Sequence, residues 1–177
     1  MDIRGLGYIG IDVADVEGWR AYAGLLGTMV VPDGNGLRLK IDERPFRVAI
    51  RPTDGIEGLA FAGWELPDAA ELEIAAAELE KAGCTIDVAA AAECASRSVR
   101  GLIRTTDPSG FGIELFQGPI LDHQLFMSPT GVSGFVTGPQ GLGHIVLGTP
   151  DMAECGDFYT NLLGVRGSVC WRPGDGV

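Results

Sequence analysis

Two stretches of the chain are near copies of one another. "GLGYIGIDVAD" runs from Gly5 to Asp15, and "GLGHIVLGTPD" runs from Gly141 to Asp151. "AYAGLLG" at 21–27 and "FYTNLLG" at 158–164 continue the echo. A supersecondary unit that recurs in this way cannot bury its apolar face alone, so its copies must pack against each other.

The unit reads as βαβββ. A strand is predicted over residues 3–13. Asp15 then caps a helix whose Trp19, Tyr22, Ala23 and Leu26 follow the i, i+3, i+4, i+7 spacing of an apolar stripe, and Gly27 stops it. Strands at Thr28–Val31, Leu37–Ile41 and Phe46–Arg51 follow, divided by the turn-forming "PDGNG" and "DERP". The pattern returns with a strand at Leu59–Leu66 and a helix opened by Asp68, with Glu71 in capping-box position. That helix carries the stripe Leu72, Ala75, Ala76 and Leu79 and ends at Gly83. Strands at Thr85–Val88, Gly101–Thr105 and Gly112–Phe116 complete this second unit. A third begins with a strand at Leu142–Leu147 and a helix capped by Asp151, striped by Met152, Cys155, Tyr159 and Leu162 and stopped by Gly164.

The expected fold class is therefore α+β, built of paired βαβββ modules, with one complete domain and the first part of a second. Residues 1–118 form the complete domain, and 119–140, rich in Pro, Gly, Ser and Thr, form the linker. Residues 141–177 are the incomplete start of the second domain. A segment that short, below about 40 residues, does not normally fold without a partner, so it should dock on the first domain or fray.

Composition excludes several function classes. With 24 acidic against 13 basic residues the formal net charge is -11, and no Lys/Arg cluster offsets it locally, so nucleic acid is not an expected partner. No apolar run approaches the roughly 18 residues of a membrane span, and "MDIRGLGYIGI" lacks export features; a cytoplasmic location is expected. Cys84, Cys94, Cys155 and Cys170 show no C-x-x-C spacing and read as reduced thiols. Ser109 and Ser133 lack the context of a nucleophile, and the glycines of "GLG" and "GPQGLG" read as turns, not as a phosphate loop. Trp19, Tyr22, Phe158 and Tyr159 read as core.

Among the differences between the copies, the one that could carry chemistry is His144 against Tyr8. An isolated His on an apolar strand is ordinarily a satisfied core residue. His123 sits in the linker, out of step with any strand, and reads as solvated.

The paired units, together with "GLGYIGIDVADVEGWRAY", "TDPSGFGIELFQG" and "FVTGPQGLGHIVL", resemble the type I extradiol ring-cleavage dioxygenases of the vicinal oxygen chelate superfamily. The likeness is strongest to those acting on 2,3-dihydroxybiphenyl and steroid catechols. The resemblance implies the vicinal oxygen chelate, or glyoxalase-like, fold. It also implies a metal-free N-terminal domain and a C-terminal domain that binds Fe(II) through two His and one Glu. "GLGHIVL" matches the motif of the first His, so His144 corresponds to the first iron ligand. The implied reaction is extradiol cleavage of a catechol-type aromatic with O2, in aromatic or steroid catabolism, by a homo-oligomer.

The second His and the Glu of the family belong to a fourth unit, so this chain alone is expected to hold little iron and to be inactive, with no catalytic residue assigned. Glu114, in "FGIELF", occupies in its own unit the place of the iron-binding Glu. Its counterpart is Tyr8 and not a His, so it reads as a hydrogen-bonded remnant of duplication. The competing reading is a non-catalytic module that binds a small apolar ligand or serves in assembly.

Overall fold

The computed structural model describes residues 1–138 and 141–167. Pro139, Gln140, Cys170 and the rest of 168–177, which the sequence reading assigned to the linker and the third unit, lie outside the described residues.

The first unit comprises β1 (Gly5–Val13), α1 (Val16–Leu25), β2 (Met29–Asp33), β3 (Gly36–Lys40) and β4 (Val48–Pro52). The second comprises β5 (Gly58–Leu66), α2 (Ala69–Lys81), β6 (Asp87–Val88), α3 (Ala91–Arg97), β7 (Gly101–Thr106) and β8 (Gly112–Gln117). All strands join one mixed sheet in the order β2-β3-β4-β1-β5-β8-β7-β6. Within each unit the opening strand pairs in parallel with the closing one, β1 with β4 and β5 with β8. The units meet through the antiparallel pair β1 and β5. This is the paired βαβββ arrangement of the vicinal oxygen chelate fold.

The helices α1 and α2 start where the sequence places a cap. Asp15 Oδ1 accepts from Gly18 N at 2.8 Å and Asp68 Oδ1 from Glu71 N at 2.9 Å, each satisfying a first-turn N–H that has no helical partner. Alternation along β5 sends Ala62, Trp64 and Leu66 to the helix side, where they form a core with Leu6, Ala75, Leu79, Ile113 and Leu115. The opposite face holds Tyr8, Phe46, Phe61 and Phe116, packed with Leu102 and with Cys94 of α3.

Several expectations are corrected. The predicted strand Leu142–Leu147 does not form: apart from a parallel bridge between Gly141 and Leu6, with Leu142 N donating to Leu6 O at 2.9 Å, this stretch is irregular. A strand needs a neighbour along its length to satisfy its backbone, and among the described residues none runs beside it. Tyr22 is 53% exposed, not core; it stacks edge-on against Trp19, and Leu26 beside it is also exposed. Gly7 is no turn residue. It lies within β1, where a Cβ would collide with the Phe116 ring, so its lack of a side chain makes room for that ring.

The helix of the third repeat, α4 (Met152–Asp157), starts at its predicted cap, with Asp151 Oδ1 accepting from Ala153 N and Glu154 N. It runs on as a π-helical turn over Phe158–Leu162. Phe158 and Leu163 are buried in the core shared with Leu6 and Trp64, so this segment docks on the first two units.

Candidate functional site

Tyr8 and Glu114 stand on the central strands β1 and β8, one on each side of β5, and their side chains meet on the open face of the sheet. Tyr8 is 3% exposed and Glu114 equally so, and the phenol donates to Glu114 Oε2 at 2.7 Å. Arg97, at the end of α3, grips the same carboxylate with both arms: Nε donates to Oε2 and NH2 to Oε1, each at 2.9 Å. Arg104 Nε adds a longer contact to Oε1 at 3.4 Å. A buried carboxylate with a two-pronged guanidinium and a phenol has its charge offset and its lone pairs occupied.

Phe61 completes the arrangement. It is the fourth residue of β5 as Tyr8 is of β1, and the Arg97 guanidinium lies 4.4 Å from its ring centroid. Tyr8 stacks on Phe116 at 4.8 Å and contacts Phe46 at 5.5 Å. Gly63 and Gly10 make this aromatic packing possible, since a Cβ at Gly63 would strike the Tyr8 ring and one at Gly10 the Phe61 ring. Burial, reinforced by the neighbouring Glu114 charge, pushes the Tyr8 phenol well above its usual range, so it stays a proton donor.

A second buried ionic network reaches the 119–138 segment. Arg47, 1% exposed, donates to Asp42 Oδ2 through Nε at 2.7 Å and to Gly7 O through NH1 at 2.8 Å. Burial alone would raise the Asp42 carboxyl, but the hydrogen bonds from Arg47 and from Arg44 N outweigh it and hold the group below its ordinary value. Lys40, fully buried, donates to Asp122 Oδ2 and to Arg44 O, each at 3.0 Å. Asp122 belongs to the 119–138 segment, so this stretch is latched to the first unit.

His144 is exposed and lies beside a cavity walled by Trp64, Asp107 and residues of the 143–167 segment. The structure therefore does not bring it near Glu114 or onto a sheet. His123 is exposed in the 119–138 segment. Cys84, Cys94 and Cys155 are free thiols. Among the described residues no three His, Cys, Asp or Glu side chains gather as metal ligands, and no helix is long and apolar enough to cross a membrane.

Sequence reading missed Arg97, Arg104, Phe61 and the helix that delivers Arg97. The signal for α3 was present in the Ala-rich run 89–92 followed by Glu93, because Ala favours helix and the Glu93 side chain reaches back to Ala90 N at 2.8 Å. The pairing of Arg97 with Glu114 left no trace in local pattern.

Comparison with known proteins supplies the remaining findings. A family model described as "Dihydroxybiphenyl dioxygenase BphC D1" matches residues 6–53. Biphenyl-2,3-diol 1,2-dioxygenase of Paraburkholderia xenovorans is 40% identical over 169 residues, which cover 94% of this chain and 56% of that protein. The 3-methylcatechol 2,3-dioxygenase of Pseudomonas putida is 39% identical over 182 residues, covering 100% of this chain and 62% of that one. A crystal structure of a catechol 2,3-dioxygenase superposes with a TM-score of 0.86 at 37% identity, covering 93% of this chain and 59% of that chain. The chain thus spans little more than half the length of the relatives it matches.

Proposed function

Because the chain belongs to the extradiol dioxygenases of the vicinal oxygen chelate superfamily, we propose that it serves Fe(II)-dependent extradiol cleavage of a catechol by O2, as the N-terminal module and the segment carrying the first iron donor of such an enzyme. The observation that carries this reading is the identity of about 40% to curated catechol dioxygenases along nearly the whole chain. In this reading residues 1–118 are the metal-free domain, 119–140 the linker, and His144 the first donor of a two-His, one-carboxylate set. The enzyme is cytoplasmic and works as a homo-oligomer.

Iron(II) in such a site is an electron relay between catechol and dioxygen, and it needs several donors acting together because Fe(II) binds weakly to any one of them. The described residues do not meet that requirement. Among these residues no three His, Cys, Asp or Glu side chains gather as metal ligands, and Glu114 is committed to Tyr8 and Arg97. No chemical step is assigned to this chain by itself. The contribution of its own residues is architectural: a core beneath β1 and β5 onto which the α4 segment docks, carrying His144.

The experiment joins residues 1–167 to the remaining C-terminal part of the Paraburkholderia xenovorans relative, with 2,3-dihydroxybiphenyl as substrate. The chimera should take up iron and form the yellow ring-opened product. His144→Ala in it should sharply lower both iron content and turnover, because Fe(II) is held only by several donors acting together. The unfused chain should bind far less than one iron and form no product. Full activity of the His144→Ala chimera would end the assignment of His144.

A second reading, a module that holds a small apolar ligand without metal, is favoured by the lack of a three-donor cluster among the described residues. Equilibrium binding of an aromatic probe to the iron-free chain tests it.

A further inference from the structure

Residues Leu142–Pro150 include no Asp, Glu, Lys or Arg, although the chain as a whole has a formal net charge of -11. Gly143, at φ 82°, carries the chain away from β1 after the Leu142 N–H has bonded to Leu6 O. Beyond it exposure alternates as it does along a strand: His144, Val146 and Gly148 are exposed, while Ile145, Leu147 and Thr149 are half-buried. Among the described residues, 143–148 make no backbone hydrogen bond. An uncharged, strand-like edge with open backbone groups is a template for pairing with another chain.

The first two repeats show how such segments pair. β1 and β5 run antiparallel, with Ile9 opposite Ala62, Tyr8 opposite Gly63 and Gly10 opposite Phe61. Tyr8 and Phe61, each the fourth residue of its strand, are thereby diagonal neighbours on one face, and their ring centroids lie 6.2 Å apart. By the repeat, His144 stands for Tyr8, Ile145 for Ile9 and Val146 for Gly10. Two copies of the third repeat joined in this register would set Ile145 opposite Ile145 of the second copy and His144 opposite its Val146. The two imidazoles would then stand as Tyr8 and Phe61 do. Imidazoles that share one zinc at Zn–N distances of about 2.1 Å have ring centres roughly 5 Å apart, so a small side-chain rotation closes the site.

We propose that two copies of this chain pair through residues 144–148 about a two-fold axis and bind one Zn(II) between their His144 side chains. The contact is isologous, so it closes at two copies. A short two-stranded ladder is marginal in water, and one imidazole holds a metal weakly, so the ladder and the zinc site each depend on the other. Zinc suits imidazole and stands above Fe(II) in affinity for such donors, and its charge offsets the repulsion between two acidic chains. The inference rests on the geometry of β1 and β5 and not on His144 as an iron donor, so either assignment can fail while the other stands.

Sedimentation velocity of the full chain tests it. In EDTA the chain should sediment as a monomer, and with Zn(II) as a dimer that holds one zinc for every two chains. His144→Ala should abolish the zinc-dependent dimer, and His123→Ala should leave it unchanged. Val146→Arg, at a position 83% exposed, puts a cation beside the bound zinc and should also abolish the dimer although both imidazoles remain. In the unmodified chain Zn(II) should slow amide exchange at Ile145, Val146 and Leu147, the mark of a ladder, which bridging by histidine alone would not leave. The proposal is overturned if the unmodified chain stays monomeric in zinc or if exchange at those three residues does not change, comparisons that need no variant to fold. It is equally overturned if the dimer survives His144→Ala or Val146→Arg, or is lost in His123→Ala.

Discussion

Residues 5–13 and 141–149 carry related sequences and meet two fates. In the first copy β1 lies between β4 and β5, and Tyr8 is 3% exposed in a cage of aromatic rings. In the second copy backbone contact with a strand is confined to Gly141 and Leu142 against Leu6, and His144 and Val146 face solvent. The difference shows that a β motif specifies a residue pattern but not a strand. Pairing with neighbours supplies the hydrogen bonds, and two-sided pairing supplies the burial.

Amide exchange gives the sharpest test of that contrast. The central amides of β1 should exchange only through global unfolding, which for domains of this size costs about 5–15 kcal/mol and slows exchange by more than about 1000-fold. The amides of Ile145, Val146 and Leu147 should exchange at rates near those of an open chain. Equal protection in the two copies would show that the second is also held in a ladder, and the contrast would vanish.

The next effect concerns what fills the first copy. Glu114→Ala removes the carboxylate that Arg97 and Tyr8 share, leaving a guanidinium that reaches water only in part. The loss should be about 3 kcal/mol in urea unfolding. Tyr8→Phe keeps the ring stack and the Arg97 pair but deletes a hydrogen bond to a charged acceptor, for about 2 kcal/mol. A neutral Glu114→Ala would mean that the cluster is ornamental and that the aromatic cage alone holds the face together.

Much of the architecture could be read from the repeat, and the limits of that reading have physical causes. Asp15, Asp68 and Asp151 were legible as caps because capping is local: the side chain and the N–H it serves are two or three residues apart. The strands of both complete units were legible because each repeats its partner's pattern. Tyr22 failed as a core residue because helical spacing identifies a face but not how far the neighbouring layer extends over it. Gly7 looked like a turn residue, whereas it makes room for an aromatic ring from another strand, as Gly63 does too, which is a long-range fact. The Arg97–Glu114 clamp spans 17 residues and a missed helix, so no local pattern could reveal it.

Alkaline titration probes the same cage with a smaller effect. The Tyr8 phenol has its folded pKa raised, by burial first and then by the charge of Glu114. Below pH about 10 the phenol is protonated in both states and its contribution is complete. Above that, the unfolded chain releases the proton and the folded one keeps it, so stability falls by about 1.4 kcal/mol per pH unit for this group. Tyr8→Phe should flatten that part of the stability profile. A slope the same with and without Tyr8 would show that the phenol ionises freely in the folded state.

The smallest expected effect is the one that isolates position from identity. His144 occupies the repeat position of Tyr8, and the corresponding substitution in a paired strand would be costly. Exposed and without a strand neighbour, His144→Ala should change the stability of the chain by less than about 0.5 kcal/mol, as surface replacements away from caps and networks do. The same replacement in the chimera described above, where the segment would have neighbours and donors around it, should cost both stability and iron. That outcome would trace the value of the imidazole to its surroundings; a loss of more than 1 kcal/mol in the chain by itself would instead place His144 in a contact that this geometry lacks.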